Sequence, residues 1–118
     1  VPFISDATRL RIILNNLISN AIKYRSFSKP LSTIHIDIDT NQERVVIKVI
    51  DNGEGIEESK LPHIFDMFYR ATERSEGSGL GLYIVRKVAD KLGATIDVDS
   101  FELEGTTFTV TIPNSNLK

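Results

Sequence analysis

Residues 9–24 read RLRIILNNLISNAIKY, and the reading of this stretch decides the fold. Positions three and four apart share one face of a helix. Leu10, Ile13, Leu14, Leu17, Ile18 and Ala21 fall into a broad apolar arc, the pattern of a helix buried along one side. Asn16, Asn20 and Lys23 form a polar stripe along the edge of that arc. A core helix does not need two amides and an ammonium beside its buried face, so the stripe points to a site.

Working outward, Asp6 stands where an N-cap belongs, and Val1 to Ile4 reads as the remnant of a strand. After Tyr24, the polar stretch RSFSKPLS reads as a loop. TIHIDIDT (33–40) alternates strictly, with Ile34, Ile36 and Ile38 on one face and His35, Asp37 and Asp39 on the other. Asn41-Gln42 marks a turn, and ERVVIKVID (43–51) follows as an antiparallel neighbour. Glu57 to Ile64 reads as a short helix and Phe65 to Arg70 as an aromatic patch; Ala71 to Glu76 is polar and weakly patterned, like a mobile loop. A further helix, YIVRKVADKL, closes at Gly93 as its C-cap, and two strands complete the domain, ATIDVDS and GTTFTVTIP. This order predicts helices layered on one face of a mixed β-sheet, an α/β (α+β) two-layer sandwich rather than a doubly wound parallel sheet.

The bulk numbers narrow the class. The 118 residues fit one domain, 1–118, with a single core. A net charge of -2 implies no polyanion-binding field, so nucleic acid is not an expected partner. The absence of cysteine excludes disulfides and thiolate metal sites and suits a reducing compartment. No apolar run reaches the length of a membrane span, so direct membrane insertion is not expected.

Two glycine clusters carry chemistry. Asp51-Asn52-Gly53-Glu54-Gly55-Ile56 ends a strand with a carboxylate and a turn able to approach a flat ring closely. An ionised carboxylate only accepts hydrogen bonds, which suits the exocyclic amine of adenine and repels the carbonyl of guanine. The same cluster also reads as a plain turn. Gly77, Ser78, Gly79, Leu80, Gly81 and Leu82 lead into a helix, where glycines and backbone N–H groups suit a phosphate, or else make a hinge. The P-loop ending Gly-Lys-Ser/Thr is absent. An asparagine amide is a neutral oxygen ligand suited to magnesium beside a triphosphate, with Lys23 as a compensating cation; Asn16 and Asn20 also read as plain exposed helix residues. Phe65 and Phe68 fit core positions as well as cofactor contacts, Arg70 could reach a phosphate, and His35 and His63 read as exposed.

In this order the segments resemble the catalytic ATP-binding domain of bacterial sensor histidine kinases, in the superfamily shared with gyrase, Hsp90 and the mismatch-repair ATPases. NNLISNAIKY is similar to the N box, DNGEGI to the G1 box, IFDMFYR to the F box, GSGLGL to the G2 box and GTTF to the terminal glycine-threonine motif. The resemblance covers nearly the whole chain and implies a Bergerat-type fold with ATP and Mg2+ as cofactors. Asp51 would hold the adenine amine with a water that Thr106 contacts, and Asn20 would ligate magnesium. Asn16 and Lys23 would line the phosphate end, Tyr24 would flank the nucleotide, and Gly53, Gly55 and Ile56 would border the base. Gly77 to Leu82 would form hinge and phosphate cradle, with a lid from about Phe68 to Glu76 and Arg70 steadying the γ-phosphate. Asn16, Lys23 and Arg70 are thus the catalytic candidates.

The family's phosphoacceptor is a histidine followed by an acidic residue on a dimerisation helix, whereas His35 and His63 are each followed by isoleucine. The resemblance therefore implies a cytoplasmic kinase domain of a two-component system. It would pass the γ-phosphoryl group to a histidine-bearing dimerisation domain of its parent protein and, through it, to a response regulator receiver domain. The isolated chain is expected to bind ATP with little turnover. A silent nucleotide-sensing module, and another ATPase or serine kinase of the superfamily, are the rival readings.

Overall fold

Alternating apolar strands and one-sided helices can bury their apolar sides only against each other, and the chain folds as two layers on that principle. A computed structural model describes residues 7–69 and 79–114. In chain order the elements are α1 (Ala7–Lys23), β1 (Ile34–Thr40), β2 (Arg44–Asp51), a 3-10 helix (Glu58–His63), α2 (Gly81–Leu92), β3 (Thr95–Phe101) and β4 (Gly105–Pro113). The N-cap at Asp6 and the strand remnant at Val1 to Ile4 lie outside the described residues.

The sheet has the order β1-β2-β4-β3, and all three pairings are antiparallel. This corrects the expectation of a mixed sheet for the described strands. β1–β2 and β3–β4 are hairpins, which run antiparallel by their geometry. The helical crossover from β2 to β3 does make those two strands parallel, but β4 lies between them. The turn joining β1 to β2 is held by Asn41, whose Oδ1 accepts the backbone N–H groups of Glu43 and Arg44.

Because paired residues share a face, the register lays out rungs across the sheet. Ile36, Val49, Phe108 and Val98 form one apolar rung, and Ile38, Ile47, Val110 and Ile96 the next. Ile13, Leu17, Val85 and Ala89 of the two helices join Val49, Phe108 and Val110 in the core, each at most 1% exposed. α1 packs against α2 and over β2, while α2 lies over β3 and β4. β1 falls beyond this cover: Ile34, Ile36 and Ile38 sit on the helix-bearing face yet are 38%, 41% and 56% exposed.

The helix expected at Glu57 to Ile64 is a 3-10 helix with Pro62 inside it, where a missing N–H and a fixed φ disfavour a longer α-helical run. α2 ends as expected at Gly93, whose φ of 68° lets its N–H reach back to the Ala89 and Asp90 carbonyls.

Candidate functional site

The rung at the open end of the sheet is polar where the others are apolar. Ile34 pairs with Asp51, Asp51 with Thr106, and Thr106 with Ser100, so a carboxylate and two hydroxyls line up on the helix-bearing face. Thr106 is 5% exposed and Asp51 half-buried. The Gly53 N–H donates to Asp51 Oδ1 at 2.9 Å, and the backbone N–H of Thr106 also serves that carboxylate. Burial nevertheless pushes the Asp51 carboxyl above its ordinary value, with the two N–H donors and the nearby Lys29 ammonium opposing the rise. A half-buried carboxylate held on one oxygen by the Gly53 N–H keeps lone pairs for a ligand's N–H groups.

Glycines bring backbone up to this rung. A Cβ on Gly53 would stand 2.5 Å from the Tyr24 carbonyl oxygen, which accepts the Glu54 N–H at 2.8 Å. Gly105, at φ 140°, passes so close to the Asp51 carbonyl that any Cβ there would overlap it. Gly55, at φ 73°, likewise abuts the Phe101 carbonyl. Tyr24 thus meets the Asp51-to-Ile56 turn through its backbone, and it lines a groove with Gly55 and Ile56. A second groove, with about 480 Å³ of open space, is lined by Ala21, Ile22, Thr33, Ile34, Asp51 and Gly53. Ala21, which lines this groove from the apolar arc of α1, directly follows Asn20 of the polar stripe.

Further along that stripe, the Asn16 side-chain N–H donates to the Ile12 carbonyl at 2.8 Å, which fixes the amide and leaves its oxygen facing the start of α2. That oxygen stands 3.3 Å from where a Cβ on Gly81 would lie. Asn20 is half-buried one turn on, and Lys23 is exposed at the helix end. Among the described residues no three His, Cys, Asp or Glu side chains cluster to cage a metal. Two neutral amide oxygens one turn apart instead suit magnesium shared with phosphate oxygens, the usual way this ion is held.

Leu80 and Leu82 are half-buried, Leu80 as the residue that opens α2. Gly79, at φ 76°, lies against the Phe68 backbone, and the Phe68 N–H donates to its carbonyl at 3.0 Å. Phe68 itself has φ 65° and is 62% exposed. Phe65 packs on the core instead, edge-on to Phe108 at 6.4 Å, with the Arg86 guanidinium 4.5 Å above its ring. Arg70, Gly77, Ser78 and the lid stretch 70–76 lie outside the described residues. Both histidines are exposed: His35 on β1, and His63 with its Nδ1 3.3 Å from Asp66.

Two residues escaped the sequence reading. Lys29 Nζ donates to the carbonyls of Asn52 at 2.6 Å, Gly53 at 3.5 Å and Glu104 at 3.0 Å, tying three loops together at the open end of the sheet. Nothing in its local sequence signals this, since its partners are distant backbone oxygens. Ser100 accepts the Ile56 N–H at 2.7 Å and lies 2.7 Å from the Thr106 hydroxyl. Its signal was present: the alternation Ile96, Val98, Ser100 puts a hydroxyl where a third apolar residue would be buried.

Comparison with known proteins agrees with this geometry. The family model described as "Histidine kinase-, DNA gyrase B-, and HSP90-like ATPase" matches residues 5–116. Similar sequences include the signal transduction histidine-protein kinase AfsQ2 of Streptomyces coelicolor, 41% identical over 92% of this chain and 20% of its own length. The heme sensor protein HssS of Staphylococcus haemolyticus is 40% identical over 98% of this chain and 25% of its own. The chain therefore spans about a fifth to a quarter of the length of these curated relatives. Among solved structures, the mycobacterial sensor histidine kinase MprB superposes with a TM-score of 0.79 at 26% identity, over 94% of this chain and 76% of that one. The histidine kinase domain of the Erythrobacter litoralis EL346 blue-light activated histidine kinase shares the fold, with a TM-score of 0.69 at 24% identity over 92% and 44% of the two chains.

Proposed function

We propose that this chain, which belongs to the family of histidine kinase-, DNA gyrase B- and HSP90-like ATPases, is the module of a sensor histidine kinase that binds Mg-ATP and presents its γ-phosphoryl group to a histidine on a separate dimerisation domain. The carrying observation is the polar end rung, in which the half-buried Asp51 carboxylate accepts the Gly53 N–H and stands beside Thr106. An adenine amine donates to that carboxylate, and the glycine turn lets the ring lie against backbone.

From the base, the polar stripe of α1 leads toward the phosphates. Asn20, with Asn16, would hold magnesium; that ion would supply charge neutralisation for the phosphate oxygens. Asn16 is an amide, held by its own helix, and cannot take a proton from water as a glutamate would. Water is accordingly a poor acceptor at this site. Phosphoryl transfer depends mainly on positioning and electrostatic stabilisation, and the domain contributes both without a nucleophile of its own. His35 sits on an edge strand and His63 ends a short 3-10 helix beside Asp66, neither of them the long dimerisation helix of a phosphoacceptor, so the accepting imidazole comes from another domain of the parent protein. A response regulator receiver domain then takes the phosphoryl group onward.

The test combines titration of a fluorescent ATP analogue with transfer from labelled ATP to an added dimerisation domain from a related kinase. Binding by the chain alone with little turnover, and labelling of the added histidine, is expected. Rapid autophosphorylation of the isolated chain would contradict the division of labour. Tight binding without transfer to any such domain would point to a silent nucleotide-sensing module.

A further inference from the structure

Ser100 closes the polar rung, and its one hydroxyl proton has two claimants. Its Oγ lies 3.1 Å from the Gly105 carbonyl oxygen and 2.7 Å from Thr106 Oγ1, and it accepts the Ile56 N–H at 2.7 Å. A serine hydroxyl has one proton to give and two lone pairs to receive. When the proton goes to Gly105, whose carbonyl can only accept, the lone pairs take the Ile56 N–H and the Thr106 O–H, and three bonds form. When it goes to Thr106, the Gly105 bond is lost and one lone pair stays empty. The first arrangement satisfies more groups between a half-buried serine and a buried threonine, where unmade bonds are costly. Thr106 has then committed its proton to Ser100, and its remaining capacity toward the site is as an acceptor.

We infer that Ser100 is a positioning residue for nucleobase selection. By fixing the Thr106 hydroxyl as an acceptor beside the Asp51 carboxylate, it makes the end rung a double acceptor. Such a rung takes bases or waters that offer N–H or O–H groups, and it offers no proton to a base that carries a ring carbonyl. The ligand class is therefore a 6-aminopurine nucleotide, selected against its 6-oxopurine counterpart. This rests on the proposed placement of the base at Asp51.

The experiment compares ATP and ITP affinities for the domain and its Ser100→Ala, Ser100→Thr and Thr106→Val variants. Ser100→Ala frees the Thr106 proton to serve a carbonyl, so the preference for ATP over ITP should narrow by about two- to ten-fold, the worth of one neutral hydrogen bond. Ser100→Thr keeps the hydroxyl and should keep the ratio. In a Thr106→Val background, adding Ser100→Ala should leave the ratio unmoved. A merely structural Ser100 would weaken both nucleotides alike; an unchanged ratio in Ser100→Ala, or no ATP preference in the unmodified chain, overturns the inference. If Ser100→Ala does not fold, proton NMR of the unmodified chain decides. A Thr106 hydroxyl proton close to Ser100 supports the assignment, and one close to the bound base overturns it. Asp51→Asn separates the two levels. Unchanged ATP binding there defeats the base assignment itself, whereas lost ATP binding with a static Ser100→Ala ratio defeats the Ser100 role alone.

Discussion

The side-chain oxygen of Asn16 and the backbone of Gly81 meet so closely that a β-carbon on Gly81 would stand 3.3 Å from that oxygen. The polar stripe of α1 therefore faces the first residue of α2, and the gap between them is set by the missing side chain. Gly81 has no left-handed φ to protect, so its role here is spacing.

Gly81→Ala should accordingly keep or slightly raise thermal stability, because alanine is the better helix former, by up to about 1 kcal/mol in a helix interior and by less at this first position. Mg-ATP affinity should fall by roughly three- to ten-fold as the Asn16 amide is crowded, about the worth of one hydrogen bond. Calorimetric titration beside a melting curve checks both; binding equal to the unmodified chain's would remove Asn16 from the site.

Asp51→Asn should abolish most adenine recognition while leaving the fold intact. The amide oxygen can still accept the Gly53 N–H, but the site loses a charge-assisted acceptor, worth on the order of 1.5–3 kcal/mol or ten-fold and more in affinity. Displacement of a fluorescent ATP analogue measures this directly.

The same residue predicts a pH dependence. Burial holds the folded Asp51 carboxyl above its ordinary 3.8, so between that value and the raised one the folded state binds more protons than the unfolded. From this group, stability falls as pH rises through that window and is level above it. D51N should lose this slope and be at least as stable as the unmodified chain at neutral pH. ATP binding by the unmodified chain should weaken as pH drops through the raised pKa, because a protonated carboxyl presents a donor to the adenine amine. Urea unfolding and nucleotide titration from pH 4 to 8 check both signs.

Lys29→Met should destabilise the domain by roughly 1–2 kcal/mol, the scale of charge-assisted hydrogen bonds shared with solvent. It withdraws donors from the Asn52, Gly53 and Glu104 carbonyls together. The expected signature is a lower urea midpoint with unchanged slope.

Gly105→Ala should cost about 1–3 kcal/mol from backbone conformation alone, since φ 140° is a glycine region. The overlap with the Asp51 carbonyl adds to that. A melting temperature near that of the unmodified chain would show that β4 can shift away from β2 at no cost.

Much of this was legible before any coordinates. The heptad-scale spacing of Leu10, Ile13, Leu17 and Ala21 marked α1, and strict alternation marked β1, because both patterns follow from backbone geometry. Strand direction was less legible. It depends on β4 inserting between β2 and β3, and no local pattern encodes that insertion. The exposure of Ile34, Ile36 and Ile38 was hidden for a similar reason: alternation tells which residues share a face and not whether a helix reaches over it. At the site, Asp51 was legible as a carboxylate ending a strand before a glycine turn, although that cluster by itself reads equally as a plain turn. Lys29 did not, since its three acceptors come from two distant turns.

The pairing of Asp51 with Thr106 also has a consequence for the order of assembly. β2 can form its hairpin with β1 as soon as both have left the ribosome, yet its other edge waits for β4, which lies more than fifty residues further along the chain. Until β4 docks, the carboxylate lacks the Thr106 N–H and the hydroxyls beside it. On the proposed placement of the base at Asp51, a nascent chain gains its nucleotide site only once β4 has emerged and inserted, so the far end of the domain must be made before the site exists.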